Sequence, residues 1–179
     1  MKLSFLIPTK NRPFDLEKNI LAINNLNLEG IEYEILILDD GSTENYSSLV
    51  SCYEFVTYFK NEFSLGISSV RNKLASHAKG EYLIFLDDDV QIDKSLDLSI
   101  LFELFESNTK LGLIAFNITA IFNTEYVVKD NSNVVNLNSK PIKQIPFNKY
   151  HLYFDSSLIK NITFVSYFIG AAFACRKSL

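Results

Sequence analysis

The sequence predicts an α/β fold: a mostly parallel, Rossmann-like central sheet with helices on both faces. Over the first hundred residues, short apolar runs alternate with segments whose apolar residues recur at helical spacing, the rhythm of strand–helix–strand units. The runs look buried throughout, as parallel strands covered on both faces are. Polar clusters follow three of the runs, and the carboxyl ends of strands are where an open parallel sheet binds ligands.

Residues 3–7 are a short, largely apolar run closed by Pro8. Residues 13–25 carry Leu16, Ile20 and Ile23 on one helical face. The β-branched and leucine run 35–38 is a second strand, ended by Asp39, Asp40 and Gly41. A helix over 44–53 and a third strand over 55–59 follow. Residues 67–78 read as a helix with Gly80 in the C-cap role. Residues 82–86 are the fourth strand, and 95–106 a helix with Leu96, Ile100 and Leu104 on one side. Beyond Leu111 the texture changes. Residues 113–122 are strand-like, 126–128 can pair with a neighbour, and 129–149 form a surface excursion rich in Asn, Lys, Ser and Pro. Residues 164–174 return to the core.

The chain has 179 residues, 47% hydrophobic and 21% charged, which suits one globular domain and not a disordered chain. Its net charge of −4 gives no basic excess, which argues against nucleic acid as the main partner. Cys52 and Cys175 sit beside apolar or aromatic residues and read as reduced core residues. The apolar stretch after Lys2 is too short for a signal core, and residues 162–175 fall short of a membrane span. The expectation is a cytoplasmic protein without a spanning segment, compatible with a peripheral place at the inner face of the membrane.

The polar strand ends are Pro8–Thr9–Lys10–Asn11–Arg12, Asp39–Asp40–Gly41–Ser42 and Asp87–Asp88–Asp89, distant in sequence and gathered by the sheet. Asp, Gly and Ser commonly end strands because they make turns, which would account for the second cluster alone. Three adjacent carboxylates are harder to place in a plain turn, because like charges repel without a cation. A backbone turn lets Asp87 and Asp89 reach one site, and hard oxygen ligands suit Mg²⁺ or Mn²⁺. Arg71 lies on the inward stripe with Ile67, Leu74, Ala75 and Ala78. Either it makes a structural ion pair or it points to the strand-end crevice and meets a phosphate or a base edge. His77 belongs to a helix end, and His151 reads as a surface residue. The sequence has no His/Cys metal cluster, no Walker loop and no G-x-S-x-G elbow.

The segments FLIPTKNRP, EILILDDGST, LGISSVRNKLASHAKGEYLIFLDDDV and FIGAAFACRKSL, in that order, resemble glycosyltransferase family 2. Lys10 departs from the Tyr that is usual there, and residues 117–161 carry little of the likeness. The resemblance implies an inverting enzyme of the GT-A fold acting on a nucleotide-diphosphate sugar, with a UDP-sugar favoured and a glycan or lipid-linked hydroxyl acceptor. It implies that Pro8 and Thr9 line the base pocket, that Asp40 accepts from uracil N3–H, and that Arg71 helps hold the nucleotide. Asp87 would lie near the ribose and metal, and Asp89 would ligate the Mn²⁺ or Mg²⁺ that bridges the diphosphate. Asp39 is left to structure or to the base pocket, and Asp88, the middle of D-x-D, is given no separate role.

By the same resemblance, residues 1–110 form the nucleotide-binding half of a single domain and 111–179 the incomplete start of the acceptor half. The catalytic base is expected after Leu179, with Asp155 and Glu125 as substitutes that no spacing recommends. Bacterial surface-polysaccharide assembly is the setting the family suggests. Two other readings compete. A signalling receiver domain has its acid pair after the first strand, where this chain has Pro8–Thr9–Lys10. A non-catalytic nucleotide-sugar-binding module needs no base.

Overall fold

Each apolar run of the first ninety residues becomes a strand of one sheet. The computed structural model describes residues 2–92, 94, 96–109, 111–116, 127–130, 133–136 and 172–178. Strands β1 (Lys2–Thr9), β2 (Glu32–Asp39), β3 (Val56–Lys60) and β4 (Tyr82–Leu86) lie parallel in the order β3-β2-β1-β4. They are connected through α1 (Pro13–Asn24), α2 (Ser47–Val50) and α3 (Ile67–His77), and α4 (Leu98–Ser107) follows β4. β8 (Ala172–Arg176), antiparallel to β4, and β5 (Leu113–Ala115), antiparallel to β8, complete the six-stranded sheet. The sheet is therefore mostly parallel. The chain divides into two compact units, Met1–Phe116 with Gly170–Leu179, and Asn117–Ile169. In the second unit an antiparallel pair is described, β6 (Val127–Asp130) with β7 (Asn133–Asn136).

The pleat sorts the apolar residues into two cores. Leu3, Phe5 and Ile7, Ile35 and Ile37, and Tyr82, Ile84 and Leu86 face one side. There they meet Leu16, Ile20 and Ile23 of α1 and Leu98, Leu101 and Phe105 of α4. Leu6, Leu36, Leu38, Leu83 and Phe85 face the other side, under Val70, Leu74 and Ala78. Alternate residues of a strand point to opposite faces, so a strand buried on both must be apolar at nearly every position. β1 is central, and the strand order reverses beside it: β2 follows on one flank and β4 joins the other. Such a switch point opens a crevice beyond the carboxyl ends of β1 and β4.

Four local expectations are corrected. The helix expected over 44–53 is one turn, Ser47–Val50. Asn45 Oδ1 accepts the Ser47 N–H at 2.9 Å, an Asx-type bond that competes with helix. The helix expected from 95 begins at Leu98, because Asp97 caps it through the Ser99 N–H at 2.9 Å. Cys52 is exposed and not a core residue; its thiol points back to the Ser48 carbonyl, 3.3 Å away. Gly80 is not a left-handed C-cap: α3 ends at His77 and runs out through an extended Ala78. Its role is close approach, since a Cβ there would lie 2.6 Å from both the Ser4 amide nitrogen and Ser4 Oγ.

Residues 113–122, 126–128 and 164–174 are described only in part, while His151, Asp155 and Glu125 lie outside the described residues. Gly80→Ala should destabilise the fold by about 1–3 kcal/mol, the range for overpacking against a neighbour that cannot retreat. A urea unfolding midpoint unchanged from wild type would show that β1 gives way.

Candidate nucleotide-sugar site

The loop after β1 is built by side chains reaching across to the next strand end. Asn11 is the one non-glycine residue with positive φ among the described residues, at 55°, a conformation asparagine tolerates better than most. Held so, its N–H donates to Ser42 Oγ at 2.8 Å, and its Oδ1 accepts the Thr43 N–H at 2.9 Å and the Thr43 hydroxyl at 3.2 Å. The Arg12 N–H donates to the Tyr46 hydroxyl at 2.7 Å, and Tyr46 itself is buried and stacked on Tyr58. Pro13 then opens α1, where a missing N–H is harmless.

The two carboxylates at the end of β2 are both buried, and each has partners at both oxygens. Asp39 Oδ1 accepts the Ser42 N–H at 2.8 Å, and its Oδ2 accepts the Tyr58 hydroxyl at 2.8 Å with Lys60 Nζ at 3.5 Å. This closes the 39–42 turn, in which Gly41 takes φ 75° and lies so close to the Phe63–Ser64 backbone that a Cβ would meet it at 2.8 Å. Asp40 serves the next loop. Its Oδ1 accepts from Asn61 Nδ2 at 2.9 Å and the Leu65 N–H at 2.8 Å; its Oδ2 accepts from the Ser64 hydroxyl at 2.6 Å and the Gly66 N–H at 2.9 Å. Burial alone would raise its pKa, but these four bonds together outweigh it and hold the carboxyl at about 2.

After β4 the three carboxylates face different surroundings. Asp87 Oδ1 accepts from Arg71 Nη2 at 2.7 Å, and the Asp87 carbonyl accepts from Asn19 Nδ2 of α1 at 2.9 Å. Asp88 is buried; its Oδ2 accepts the Thr9 hydroxyl at 2.8 Å and its Oδ1 lies 3.3 Å from Arg12 Nη1. Asp89 is exposed, and its Oδ2 takes the same Arg12 nitrogen at 2.6 Å. Burial pushes Asp87 and Asp88 above the ordinary carboxylate range, against the pull of Arg71 on the first and of Thr9 and Arg12 on the second. Arg71 thus makes the ion pair that was one of its two readings, and its guanidinium also lies over the Phe173 ring of β8, 5.7 Å from the centroid.

Pro8, Thr9, Asp40, Arg71, Asp87 and Asp89 therefore all stand at one edge of the sheet. Thr9 is joined to Asp88 by its hydroxyl and to Asp40 through the Asp40 N–H, 2.9 Å from the Thr9 carbonyl. Sequence reasoning named Asn11 and Arg12 only as part of the first polar strand end, without a role, and missed Tyr46, Asn61 and the anchoring role of Asp88. The available signal was the basic residue Arg12 in a loop that must meet the triple Asp if the first and fourth strands are neighbours.

No group of three His, Cys, Asp or Glu side chains able to hold a metal occurs among the described residues. The donor set nevertheless fits a hard divalent cation. Asp87 and Asp89 offer carboxylate oxygens at the crevice and already draw a guanidinium each. A site with few protein ligands is also what Mg²⁺ and Mn²⁺ use when phosphate oxygens complete the shell.

A model of the family described as Glycosyl transferase family 2 matches residues 4–173. The chain belongs to glycosyltransferase family 2. Among relatives, an uncharacterized protein of Haemophilus influenzae is 29% identical over 98% of this chain and 87% of its own length. The Campylobacter jejuni GalNAc(5)-diNAcBac-PP-undecaprenol beta-1,3-glucosyltransferase is 34% identical over 51% of this chain. The match spans 30% of that enzyme's length. Staphylococcus aureus TarS 1-349 in complex with UDP-GlcNAc superposes over 99% of this chain and 46% of its own, with TM-score 0.64 at 18% identity. The Pyrobaculum calidifontis mannosyltransferase PcManGT, in complex with GDP-Man and Mn²⁺, covers 63% of this chain and 34% of its own, with TM-score 0.53 at 17% identity. These likenesses establish the GT-A fold. Among the described residues of this glycosyltransferase-family chain, no helix is long and apolar enough to cross a membrane.

Asp40→Asn should lower stability at neutral pH by about 1–3 kcal/mol, because the amide NH₂ would face donors it cannot accept from. A carboxylate held below its ordinary value stabilises the fold above that value, near 3.8, and the stabilisation fades as pH falls towards about 2. The gap between wild type and variant, read from urea unfolding, should therefore close in that window. A gap independent of pH would leave the charge of Asp40 without a structural role.

Proposed function

We propose that this chain carries the donor site of a glycosyltransferase that moves a sugar from a nucleotide-diphosphate sugar, a UDP-sugar above all, to a hydroxyl acceptor with inversion. The observation that carries the reading is the joining of three distant strand ends, 8–12, 39–43 and 87–89, into one hydrogen-bonded cluster at the switch point. The family membership and the UDP-GlcNAc complex of the TarS neighbour support it.

In this reading Pro8 and Thr9 flank the base, and Arg71 and Asp87 hold the nucleotide from the α3 side. Asp40 accepts uracil N3–H. Its four present donors fill the capacity of a carboxylate, so one must yield, and the Ser64 hydroxyl is the donor that can rotate away. Mn²⁺ or Mg²⁺ would be held by Asp89 with Asp87, and when bound it supplies the charge that stabilises a departing diphosphate. The PcManGT complex with Mn²⁺ supports a divalent ion. The acceptor oxygen attacks the anomeric carbon opposite the diphosphate, the bond to the phosphate oxygen breaks, and the hydroxyl proton passes to a carboxylate base outside this cluster.

The undecaprenol-linked relative favours a glycan or lipid-linked acceptor, used at the cytoplasmic side of a bacterial membrane. Residues 1–110 then form the nucleotide-binding half, with the acceptor half beginning after them.

UDP with Mn²⁺ should raise the melting temperature, by the equivalent of about 2.7 kcal/mol at a hundredfold excess over the dissociation constant. Asp89→Asn should reduce the shift, and EDTA should reduce it in wild type. CDP should bind about one to two decades more weakly than UDP, because cytosine N3 and Asp40 would face each other as acceptors. An EDTA-insensitive shift would remove the metal, and equal UDP and CDP affinities would remove Asp40 from the base pocket.

A further inference from the structure

The acidic strand end already has a cation in it. Arg12 Nη1 lies 2.6 Å from Asp89 Oδ2 and 3.3 Å from Asp88 Oδ1, one nitrogen shared by two carboxylates. Their side chains differ in freedom: Arg12 is 51% exposed and Asp89 52%, whereas Asp88 is 9% exposed. Asp88 is thus fixed, tied to the Thr9 hydroxyl and the Lys10 backbone amide, while Arg12 can swing out into water.

We propose that Arg12 is the resident counter-ion of Asp88 and Asp89, and that a divalent cation binds at Asp89 only by displacing it. The inference deepens the metal reading above and rests on it. Arg12 holds Asp89 Oδ2, and a divalent ion on either oxygen of that carboxylate would lie close enough to the guanidinium for the two cations to repel and to compete for its charge. Buried Asp88 needs positive charge nearby in either state, and the incoming ion supplies it when Arg12 leaves. Metal alone therefore binds weakly. Nucleotide and metal bind together because diphosphate oxygens add ligands that Arg12 cannot match. Arg12 is a positioning residue, acting on the ion's access and not on the reacting atoms.

The test measures free Mn²⁺ by its electron paramagnetic resonance signal, titrated with wild type, Arg12→Gln and Arg12→Lys, without and with UDP. The backbone N–H of Arg12, which holds Tyr46, survives in both variants, and melting curves verify the fold. Without nucleotide, Arg12→Gln should bind Mn²⁺ about threefold or more tightly than wild type, as removing one exposed ion pair implies. Arg12→Lys, which keeps a mobile cation, should stay near wild type. If Arg12→Gln binds Mn²⁺ no better than wild type while all three proteins still bind it with UDP, the displacement is overturned and the donor-site reading stands. If none holds Mn²⁺ even with UDP, both are overturned.

Discussion

The structure of this sheet edge follows from one difficulty: carboxylates placed at the ends of strands that are buried on both faces. Asp39 and Asp40 leave β2, and Asp87 to Asp89 leave β4, from strands with almost no solvent contact. A charge so close to a dry core is stable only if donors or cations are brought to it. The surrounding loops are arranged to do that. The 39–42 turn closes on Asp39, the 61–66 loop wraps Asp40, Arg71 of α3 reaches Asp87, and the 8–12 loop delivers Thr9 and Arg12 to Asp88 and Asp89. Loop conformation here is largely the record of carboxylates finding partners.

The partners fall into two chemistries, with different consequences. Asp40 is surrounded by neutral donors, two of them backbone amides that cannot leave without unfolding the start of α3. Its carboxyl lies well below the ordinary range, held there by those donors. Asp88 and Asp89 depend instead on Arg12, and Asp87 on Arg71, side-chain cations on flexible stems. The Arg12 pairs can be exchanged for another cation at modest cost, because ion pairs near water are worth little, whereas Arg71 is more enclosed and lies on Phe173. The first arrangement is a fixed scaffold and the second an exchangeable site.

The parallel strands were legible because burial on both faces leaves an unbroken apolar signature, and a strand end marked by Asp is hard to mistake. Arg71 was legible for a related reason: a cation on the inward stripe of a helix violates a periodicity. The features that were missed lack any local period. Arg12 meets Asp89 across 77 positions and Thr9 meets Asp88 across 79, contacts that exist only once β1 and β4 are neighbours. Asp88 looked like the idle middle of the D-x-D motif. The turn after β4 instead sends it inward, where it is the most buried of the three. Gly80 misled because glycine after a helix has two uses, and local sequence cannot tell a left-handed cap from a close approach to Ser4.

The late strand β8 makes the site depend on residues far along the chain from its polar strand ends. Phe173 pairs opposite Phe85 in the antiparallel register and stacks on it, ring centroids 4.6 Å apart. The same ring lies beneath Arg71, whose guanidinium faces Asp87. A planar guanidinium can lie on an aromatic face and still direct a donor at a carboxylate, which the point charge of a lysine does less well. The orientation of Asp87 is thereby linked, through Arg71, to β8, the strand paired with β4. Sheet pairing at residues 85 and 173 and the aim of the Asp87 carboxylate are consequently parts of one arrangement.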